Sequence, residues 1–415
     1  MYSAEPEPFP SVQPAQQTTP VLILAYYFPP DNYTGAARPG RFARYLPDLA
    51  CPVRVIAVGD SAEESELIRR VEGETEEVRH RSLAGLIERV FRKSLMPHDE
   101  GISWMPRAAR EAMRWHRREP FAVVFSTAPP VVTHLAALWL KRRLSVRWVA
   151  DFRDPLAGNP FRTQAIDRYV DPWVERQIFR HADAVIANTE AVGELWRRRY
   201  PQWARKINVI WNGFDPADPF GAMPLPPRSY KVMAHIGEIY SDRNPGILLR
   251  AFRRQIDRGA LEPGAHRIRL IGNLDARTTF DRNDLTYLLE RGCLELVSHI
   301  PREQARAETA QSDYLILLDS MAGLQVPAKL FDYIRVGRPI LAVTSRTSAA
   351  ASILARSGIR HTLLSPGPTD EIDARLMEFL RYSTESLPPS EWFTRNFNAV
   401  EQTQKLAALL KQPQL

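Results

Sequence analysis

Short apolar runs recur along this chain, separated by segments long enough to form helices. Runs of four to eight such residues are typical of strands buried on both faces, and helical crossovers between them are typical of parallel sheets. The chain is therefore predicted to be α/β. The runs in the first half are 21–28, 53–58, 121–126, 146–151, 184–188 and 207–211. Those in the second half are 231–236, 267–271, 294–297, 314–318 and 340–343.

A proline-rich segment divides the two series of runs. Residues 215–227 hold five prolines in thirteen positions, which suits neither a helix nor a strand. A length of 415 residues also exceeds what one hydrophobic core usually organises. We therefore predict two Rossmann-like domains that face each other across a ligand cleft. The predicted divisions are a disordered tail at 1–20, an N-terminal domain at 21–214, a linker at 215–229, a C-terminal domain at 230–385 and a last helical segment at 386–415.

The composition excludes several classes of protein. With 44% apolar and 25% charged residues, the chain is typical of folded proteins rather than disordered ones. It has no apolar run near the ~20 residues of a membrane-spanning helix. Its first twenty residues have five prolines and no lysine or arginine, unlike a secretory signal, so we expect a cytoplasmic protein. Cys51 and Cys293 alone supply neither a disulfide framework nor a zinc site.

The basic charge is concentrated in one segment. The net charge is +7, and residues 79–118 alone hold ten Arg or Lys against four Asp or Glu. Bulky apolar residues, among them Trp104, Met105 and Trp115, lie between these charges. Such a mixture is typical of binding to an anionic membrane surface, but also of an amphipathic helix that covers a domain core. Both interpretations stay open, as does nucleic-acid binding.

The loop after the first strand does not fit a dinucleotide cofactor. A Gly-x-Gly-x-x-Gly turn is absent there, and Gly35 alone precedes a predicted helix. One glycine at a helix start leaves backbone N–H groups open to an anion, although it is also common in simple turns. No cofactor is therefore expected, and Gly35 is a candidate contact for a phosphate.

The second half contains a more specific constellation. Its first strand leads to Gly237, and Arg243 then precedes a helix that begins near Pro245. Lys329 and Asp332 are three residues apart and so share one face of a later helix. A cation suits a diphosphate, and a carboxylate suits the hydroxyls of a ribose. This combination favours a nucleotide diphosphate sugar as ligand.

Taken in order, these motifs resemble the family 4 glycosyltransferases. That family has the two-domain GT-B fold and transfers a sugar from a nucleotide donor with retention of configuration. The resemblance spans nearly the whole chain. It rests on Tyr-Tyr-Phe-Pro-Pro followed by Gly35, Asp151-Phe-Arg-Asp154-Pro, Asn188-Thr-Glu, Asn212-Gly-Phe-Asp, Gly237-x-x-Tyr-x-x-Arg243-x-Pro, and Val-Pro-x-Lys329-Leu-Phe-Asp332-Tyr with Gly337-Arg-Pro.

The resemblance implies roles for residues of both domains. Gly35 and Gly237 would line the donor diphosphate, Arg243 and Lys329 would clamp it, and Asp332 would take the ribose hydroxyls. The first acid of the family's paired-acid motif is absent, because Leu324 stands in its place.

A second departure concerns the first domain. Arg153 stands where many relatives carry a histidine. Asp151, Arg153 and Asp154 are the candidate catalytic residues, although the two aspartates could equally cap the loop before Pro155. His134 lies in an apolar helical run and is expected in the core rather than as a general base. The resemblance also implies that a helical stretch at about 391–411 packs back on the first domain.

These observations predict a glycosyltransferase of the hexosyltransferase class. The donor would be a UDP- or GDP-linked sugar, and the acceptor a glycan or a lipid-linked molecule of the cell envelope, reached at the inner face of the membrane. No Asp-x-Asp occurs, so no metal is expected, and arginine, lysine and helix N-termini would stabilise the departing phosphate. The alternatives are a nucleotide-sugar epimerase of the same fold and a non-catalytic protein that binds nucleic acid or acts as a scaffold.

Overall fold

The computed structural model describes residues 18–31, 35–59, 65–71, 101–159, 162, 164–239, 243–274, 281–320 and 323–413. These residues form two α/β units, each built on a parallel sheet. The segment between the two units, from the end of the first sheet to residue 230, contains neither helix nor strand.

The first sheet has seven strands in the order β3-β2-β1-β4-β5-β6-β7. Every neighbouring pair is parallel, so the helices between strands cover both faces. Because β1 lies inside the sheet, all of its residues are buried. The strands are β1 (Val21–Ala25), β2 (Val53–Val58), β3 (Ile68–Val71), β4 (Val123–Ala128), β5 (Arg147–Phe152), β6 (Ala184–Ala187) and β7 (Ile207–Val209). The described helices are α1 (Ala37–Tyr45), α2 (Trp104–Arg118), α3 (Val132–Lys141), α4 (Asp167–His181) and α5 (Glu190–Arg199), with 3₁₀ turns at Pro47–Leu49 and Pro201–Lys206.

The second sheet has six parallel strands in the order β10-β9-β8-β11-β12-β13. Its strands are β8 (Lys231–Ile236), β9 (His266–Ile271), β10 (Leu294–Val297), β11 (Tyr314–Leu318), β12 (Ile340–Val343) and β13 (His361–Leu364). Its helices are α6 (Gly246–Asp257), α7 (Arg282–Glu290), α8 (Arg302–Ala310), α9 (Lys329–Val336), α10 (Ala349–Arg356) and α11 (Thr369–Phe379). In both sheets the order reverses beside the first strand, which is where doubly wound sheets bind ligands.

Two strands are absent from the prediction, and both lie at a sheet edge. Strand β3 has the sequence Ile-Arg-Arg-Val, so its two arginines break the apolar pattern. Strand β13 begins with His361 and Thr362 and is only partly buried. An edge strand contacts one neighbour and tolerates polar side chains, which weakens the signal that identified the central strands.

The C-terminal segment forms two helices where one was predicted. They are α12 (Glu391–Phe397) and α13 (Ala399–Leu410), separated by Asn398, whose side chain accepts from the Val400 N–H and caps α13. Phe393 and Phe397 of α12 pack in a core cluster of the second domain. Leu406 and Leu410 of α13 pack in a core cluster of the first domain. The end of the chain therefore contributes to both cores.

Within the described residues, no helix is both long enough and apolar enough to cross a bilayer.

Candidate functional site

The two domains meet at the loops that follow the carboxyl ends of their strands. Thr189, just after β6, donates its hydroxyl to the carbonyl of Leu324, at 2.8 Å. Leu324 also packs against the core of the first domain. The position where the family motif has its first acid is thus a backbone contact between the domains in this chain.

Asp151 forms a buried ion pair with Arg38 and does not lie exposed in a cleft. Its carboxylate is fully buried and accepts from the Arg38 guanidinium at 3.0 and 2.8 Å. The Thr127 hydroxyl adds a third hydrogen bond at 2.8 Å. These partners occupy both oxygens, so the geometry favours the structural one of the two roles that the sequence left open. A catalytic role for Asp151 stays a prediction.

Arg38 is a functional-site neighbour that sequence reasoning missed. Besides Asp151, it donates to the carbonyls of Ile210 and Trp211 at 2.8 and 2.7 Å, and to the Asn212 side chain at 3.2 Å. It therefore ties α1 to β5 and to the start of the interdomain segment. Its partners lie more than 100 residues away in sequence, so no local pattern could reveal it.

Gly35 and Arg153 lie against each other. A Cβ atom on Gly35 would be 1.9 Å from Nη1 of Arg153, so a side chain there would displace this guanidinium. Arg153 also donates to the carbonyls of Ala128, at 3.2 Å, and Pro129. Burial lowers the pKa of Arg153, while Asp154 and Asp151 act in the opposite direction. The structure thus brings two predicted site residues together at the ends of β1 and β5.

Asp154 faces the second domain. Burial raises the pKa of its carboxyl, whereas the charges of Arg153 and Arg243 lower it. Since Arg243 belongs to the loop after β8, Asp154 lies near a candidate residue of the second domain. Of the three proposed catalytic residues, Asp154 is therefore the one that the structure brings close to the second domain's candidate cations.

Gly237, Lys329 and Arg243 form the opposite wall. Gly237 has φ +122°, and a Cβ atom there would be 2.5 Å from the Lys329 amine. Burial, followed by the charge of Arg243, lowers the pKa of Lys329 to about 7, and Glu238 acts in the opposite direction. The two cations that the sequence predicted are thus close enough to repel each other. A diphosphate placed beside them would relieve that repulsion.

Two residues around Lys329 were not predicted. The Lys329 amine lies 3.2 Å from Nε2 of His235, which is fully buried at the end of β8. Gly272, after β9, packs closely against the Gly237 loop, because a Cβ atom there would be 2.5 Å from the Gly237 carbonyl oxygen. The sequence signal was a glycine directly after each of two neighbouring strands.

Asp332 lies where α9 approaches the first domain. Its side chain is 48% exposed, and Nη1 of Arg335 is 4.0 Å from it. The surrounding protein raises the pKa of Asp332 by desolvation, while Arg335, Arg306 and Arg41 lower it. Arg41 belongs to α1, and burial lowers its own pKa to about 10. Asp332 is therefore a carboxylate open to solvent inside a region lined by both domains.

An arginine-lined groove lies on the first domain between β3 and α2. Its volume is about 550 Å³, and Glu111 is the one acid among its described lining residues. The arginines are Arg69, Arg70, Arg107, Arg110, Arg114 and Arg118. Trp104 and Trp115 of α2 are buried in the core of the first domain. Their burial favours the interpretation of α2 as an amphipathic helix that covers this core. Of the basic segment, residues 79–100 lie outside the described residues.

His134 lies in the core, as expected. It is fully buried, and Nδ1 is 2.8 Å from the Ser126 hydroxyl, which also accepts from the Trp148 indole at 2.8 Å. Among the described residues, no group of three or more His, Cys, Asp or Glu side chains could hold a metal ion.

Comparison with known proteins defines the class. The profile of Glycosyltransferase Family 4 matches residues 40–218. No curated protein sequence gives a significant match. The matched residues lie almost entirely in the first domain, and the resemblance predicted from the motifs is confirmed.

Solved structures extend the likeness to the whole chain. A sucrose-phosphate synthase from Thermosynechococcus elongatus is 13% identical, with a TM-score of 0.60 over 94% of this chain and 97% of the other. Anabaena HepE in complex with UDP-glucose is 14% identical, with a TM-score of 0.59 over 94% and 99%. A UDP-N-acetylglucosamine 2-epimerase is 10% identical, with a TM-score of 0.54 over 95% and 96%. The predicted GT-B fold is confirmed, and the fold together with the profile match supports a glycosyltransferase.

Proposed function

We propose that this protein transfers a hexose from a nucleotide diphosphate sugar to an acceptor held by the first domain. The observation that carries the proposal is the pair of cations, Arg243 and Lys329, beside the glycine loop at Gly237 and opposite Asp154. Two positive charges at a solvent-accessible cleft suit the two negative charges of a diphosphate. HepE, which shares the fold, is described in complex with UDP-glucose.

In this proposal each residue has a defined task. Arg243 and Lys329 stabilise the charge that develops on the departing diphosphate, and Gly237 lets the phosphates approach the backbone. Asp332 accepts from the ribose hydroxyls. Asp154, which lies near Arg243, and the neighbouring Arg153 are the candidates for contact with the sugar and acceptor. Retention of configuration follows from the family resemblance, and NMR of the product anomer tests it.

Direct binding and turnover test the proposal. Mass spectrometry with a panel of UDP- and GDP-linked sugars should identify a bound donor. Arg243→Ala should then weaken donor affinity ten- to a hundredfold, because a charge-assisted contact contributes about 1.5–3 kcal/mol. Arg250→Ala is the matched control, since Arg250 is an exposed arginine on α6, the helix that follows Arg243. Equal donor affinity of the two variants would contradict the clamp.

The metal prediction is tested in the same assay. If the two cations neutralise the diphosphate, transfer should proceed at an unchanged rate in EDTA. A requirement for a divalent ion would show that the charge of Arg243 and Lys329 is insufficient.

The same fold serves a UDP-N-acetylglucosamine 2-epimerase, which favours epimerisation as a second candidate. Incubation with a nucleotide sugar and no acceptor separates the two activities. An epimerised nucleotide sugar would support the epimerase, whereas an unchanged donor that disappears only when acceptor is added supports the transferase.

For the acceptor, we propose a lipid-linked or envelope glycan presented at an anionic membrane on the inner face of the cell. The arginine-lined groove supports this, because each well-placed cation contributes about 1 kcal/mol to binding acidic lipid. As Trp104 and Trp115 are buried, the described part of the segment would attach by charge rather than by insertion. Sedimentation should show binding to anionic vesicles at low salt, loss at high salt, and a weaker response for Arg110→Glu. Absence of binding at low salt would favour an acceptor free in solution.

A further inference from the structure

The imidazole of His235 is held in one orientation by its surroundings. Its Nδ1 lies 3.0 Å from the Ile316 carbonyl oxygen, which can only accept, so Nδ1 carries the proton. Burial and the charges of Lys329 and Arg243 lower the pKa of His235 well below its ordinary value, while carbonyl groups of Ile316 and Gly237 act in the opposite direction. The ring is therefore neutral.

A neutral ring with its proton on Nδ1 has a lone pair on Nε2. That atom lies 3.2 Å from the Lys329 amine, so the amine donates and the ring accepts. The amine also lies against Gly237, because a Cβ atom there would be 2.5 Å from it. Among the described residues, the charged groups that act on it are Arg243 and Glu238.

We propose that His235 is a positioning residue of the donor site, which acts through Lys329 by fixing its amine against the Gly237 loop. The role in donor binding rests on the proposed function, whereas the contact between His235 and Lys329 can be tested without any donor. A lysine side chain has four rotatable bonds, so an acceptor that holds its amine removes much of the disorder that donor binding would otherwise have to overcome. His235 also favours the ammonium form, because a charged N–H donates a stronger hydrogen bond to Nε2 than the N–H of a neutral amine does. The ammonium then keeps two further N–H groups for a phosphate.

Two substitutions separate the contact with Lys329 from the contact with Ile316. In His235→Asn the amide can still reach the Ile316 carbonyl but stops short of Lys329. In His235→Gln the longer side chain returns an acceptor oxygen near the position of Nε2. His134→Asn is the matched control, since it shortens another fully buried histidine in the first domain.

The first measurement needs no donor. Acetic anhydride labels neutral amines, and peptide mass spectrometry can separate the seven lysines of the chain. Labelling across a range of pH therefore gives the midpoint of the Lys329 titration. Lys405, exposed on α13, is the internal reference. His235→Asn should lower the Lys329 midpoint by at least half a pH unit, whereas His235→Gln and His134→Asn should leave it near the parent value. An unchanged or raised midpoint in His235→Asn overturns the proposal.

The second measurement uses UDP-glucose and GDP-mannose as probes, at pH 7. For the probe that binds, His235→Asn should raise Kd and KM about tenfold with little change in kcat, and His235→Gln should restore most of the affinity. In a Lys329→Ala background, His235→Asn should have no further effect, because it acts through Lys329. An effect of equal size in that background overturns the positioning role. If the parent protein binds neither probe, the proposed function is in question while the labelling result still decides the role of His235.

Discussion

Replacing Asp151 by asparagine separates a structural carboxylate from a catalytic one. The Arg38 guanidinium is 3% exposed, and Asp151 supplies its one carboxylate partner among the described residues. Asparagine keeps the shape but removes the charge, so Arg38 would remain buried without a counter-ion. Breaking a buried pair in this way costs about 3–5 kcal/mol. Since domains are stable by only about 5–15 kcal/mol, the first domain should lose a large fraction of its stability.

A double substitution makes the estimate sharper. Arg38→Met with Asp151→Leu removes both charges, and buried pairs replaced by apolar residues often lose little stability. The carbonyls of Ile210 and Trp211 would still lose their donor, at about 1 kcal/mol each. We therefore expect the double variant to be more stable than Asp151→Asn alone by about 1–3 kcal/mol.

Urea unfolding followed by tryptophan fluorescence measures this, because eight of the nine tryptophans lie between residues 104 and 211. Transfer rate per folded molecule is the second readout. Asp154→Asn is the matched control in the same loop: its carboxyl has a raised pKa, so losing the charge should not destabilise the fold, but it should reduce turnover. An Asp151→Asn protein with parental stability and turnover reduced more than a hundredfold would refute the structural assignment and restore a catalytic one.

Three further predictions follow from buried groups. Because the pKa of free Lys329 is about 7 and a bound diphosphate would raise it, nucleotide-sugar affinity should fall about tenfold between pH 6 and pH 8, measured by calorimetry; a flat profile would contradict this. Burial lowers the pKa of His134 from 6.5 to about 3, so the unfolded chain takes up a proton that the folded one excludes, and stability falls as pH drops below 6.5. His134→Asn should therefore remove about 2 kcal/mol of the loss between pH 7 and pH 5, measured by urea unfolding. Deletion of residues 390–415 should lower the melting temperature of both domains by more than ten degrees, since Phe393 and Leu406 fill different cores; a parental melt would contradict it.

The central strands were predictable because burial on both faces demands apolar residues regardless of context. Runs such as 231–236 and 314–318 coincide with β8 and β11 to the residue. The edge strands β3 and β13 were not predictable in this way, since each pairs with only one neighbouring strand and tolerates polar side chains. The C-terminal segment forms two helices rather than one because Asn398 caps the second. A single asparagine inside an apolar helical pattern does not by itself predict that a helix ends there.

The candidate site shows the same division. Gly237, Arg243 and Lys329 were predicted because their residue types and positions after a strand or before a helix carry the chemistry. Arg38 and His235 were not, because their roles come from partners 113 and 94 residues away. The sequence left open whether Asp151 was structural, and only the position of Arg38 in the fold favours one of the two roles.

In the proposed function, the repulsion between Arg243 and Lys329 affects both donor binding and catalysis. Arg243 lowers the pKa of Lys329, so the empty cleft holds two cations that repel each other. The repulsion falls when a diphosphate binds, and falls further when the bond to the sugar breaks and more negative charge collects on the phosphate oxygens. Interactions that strengthen as charge develops accelerate a reaction, whereas those equal in both states only tighten binding. Arg243→Ala and Lys329→Ala should therefore each reduce kcat as well as donor affinity. His235→Asn keeps both side chains, and a bound diphosphate would restore the charge of Lys329, so this variant should affect affinity far more than kcat.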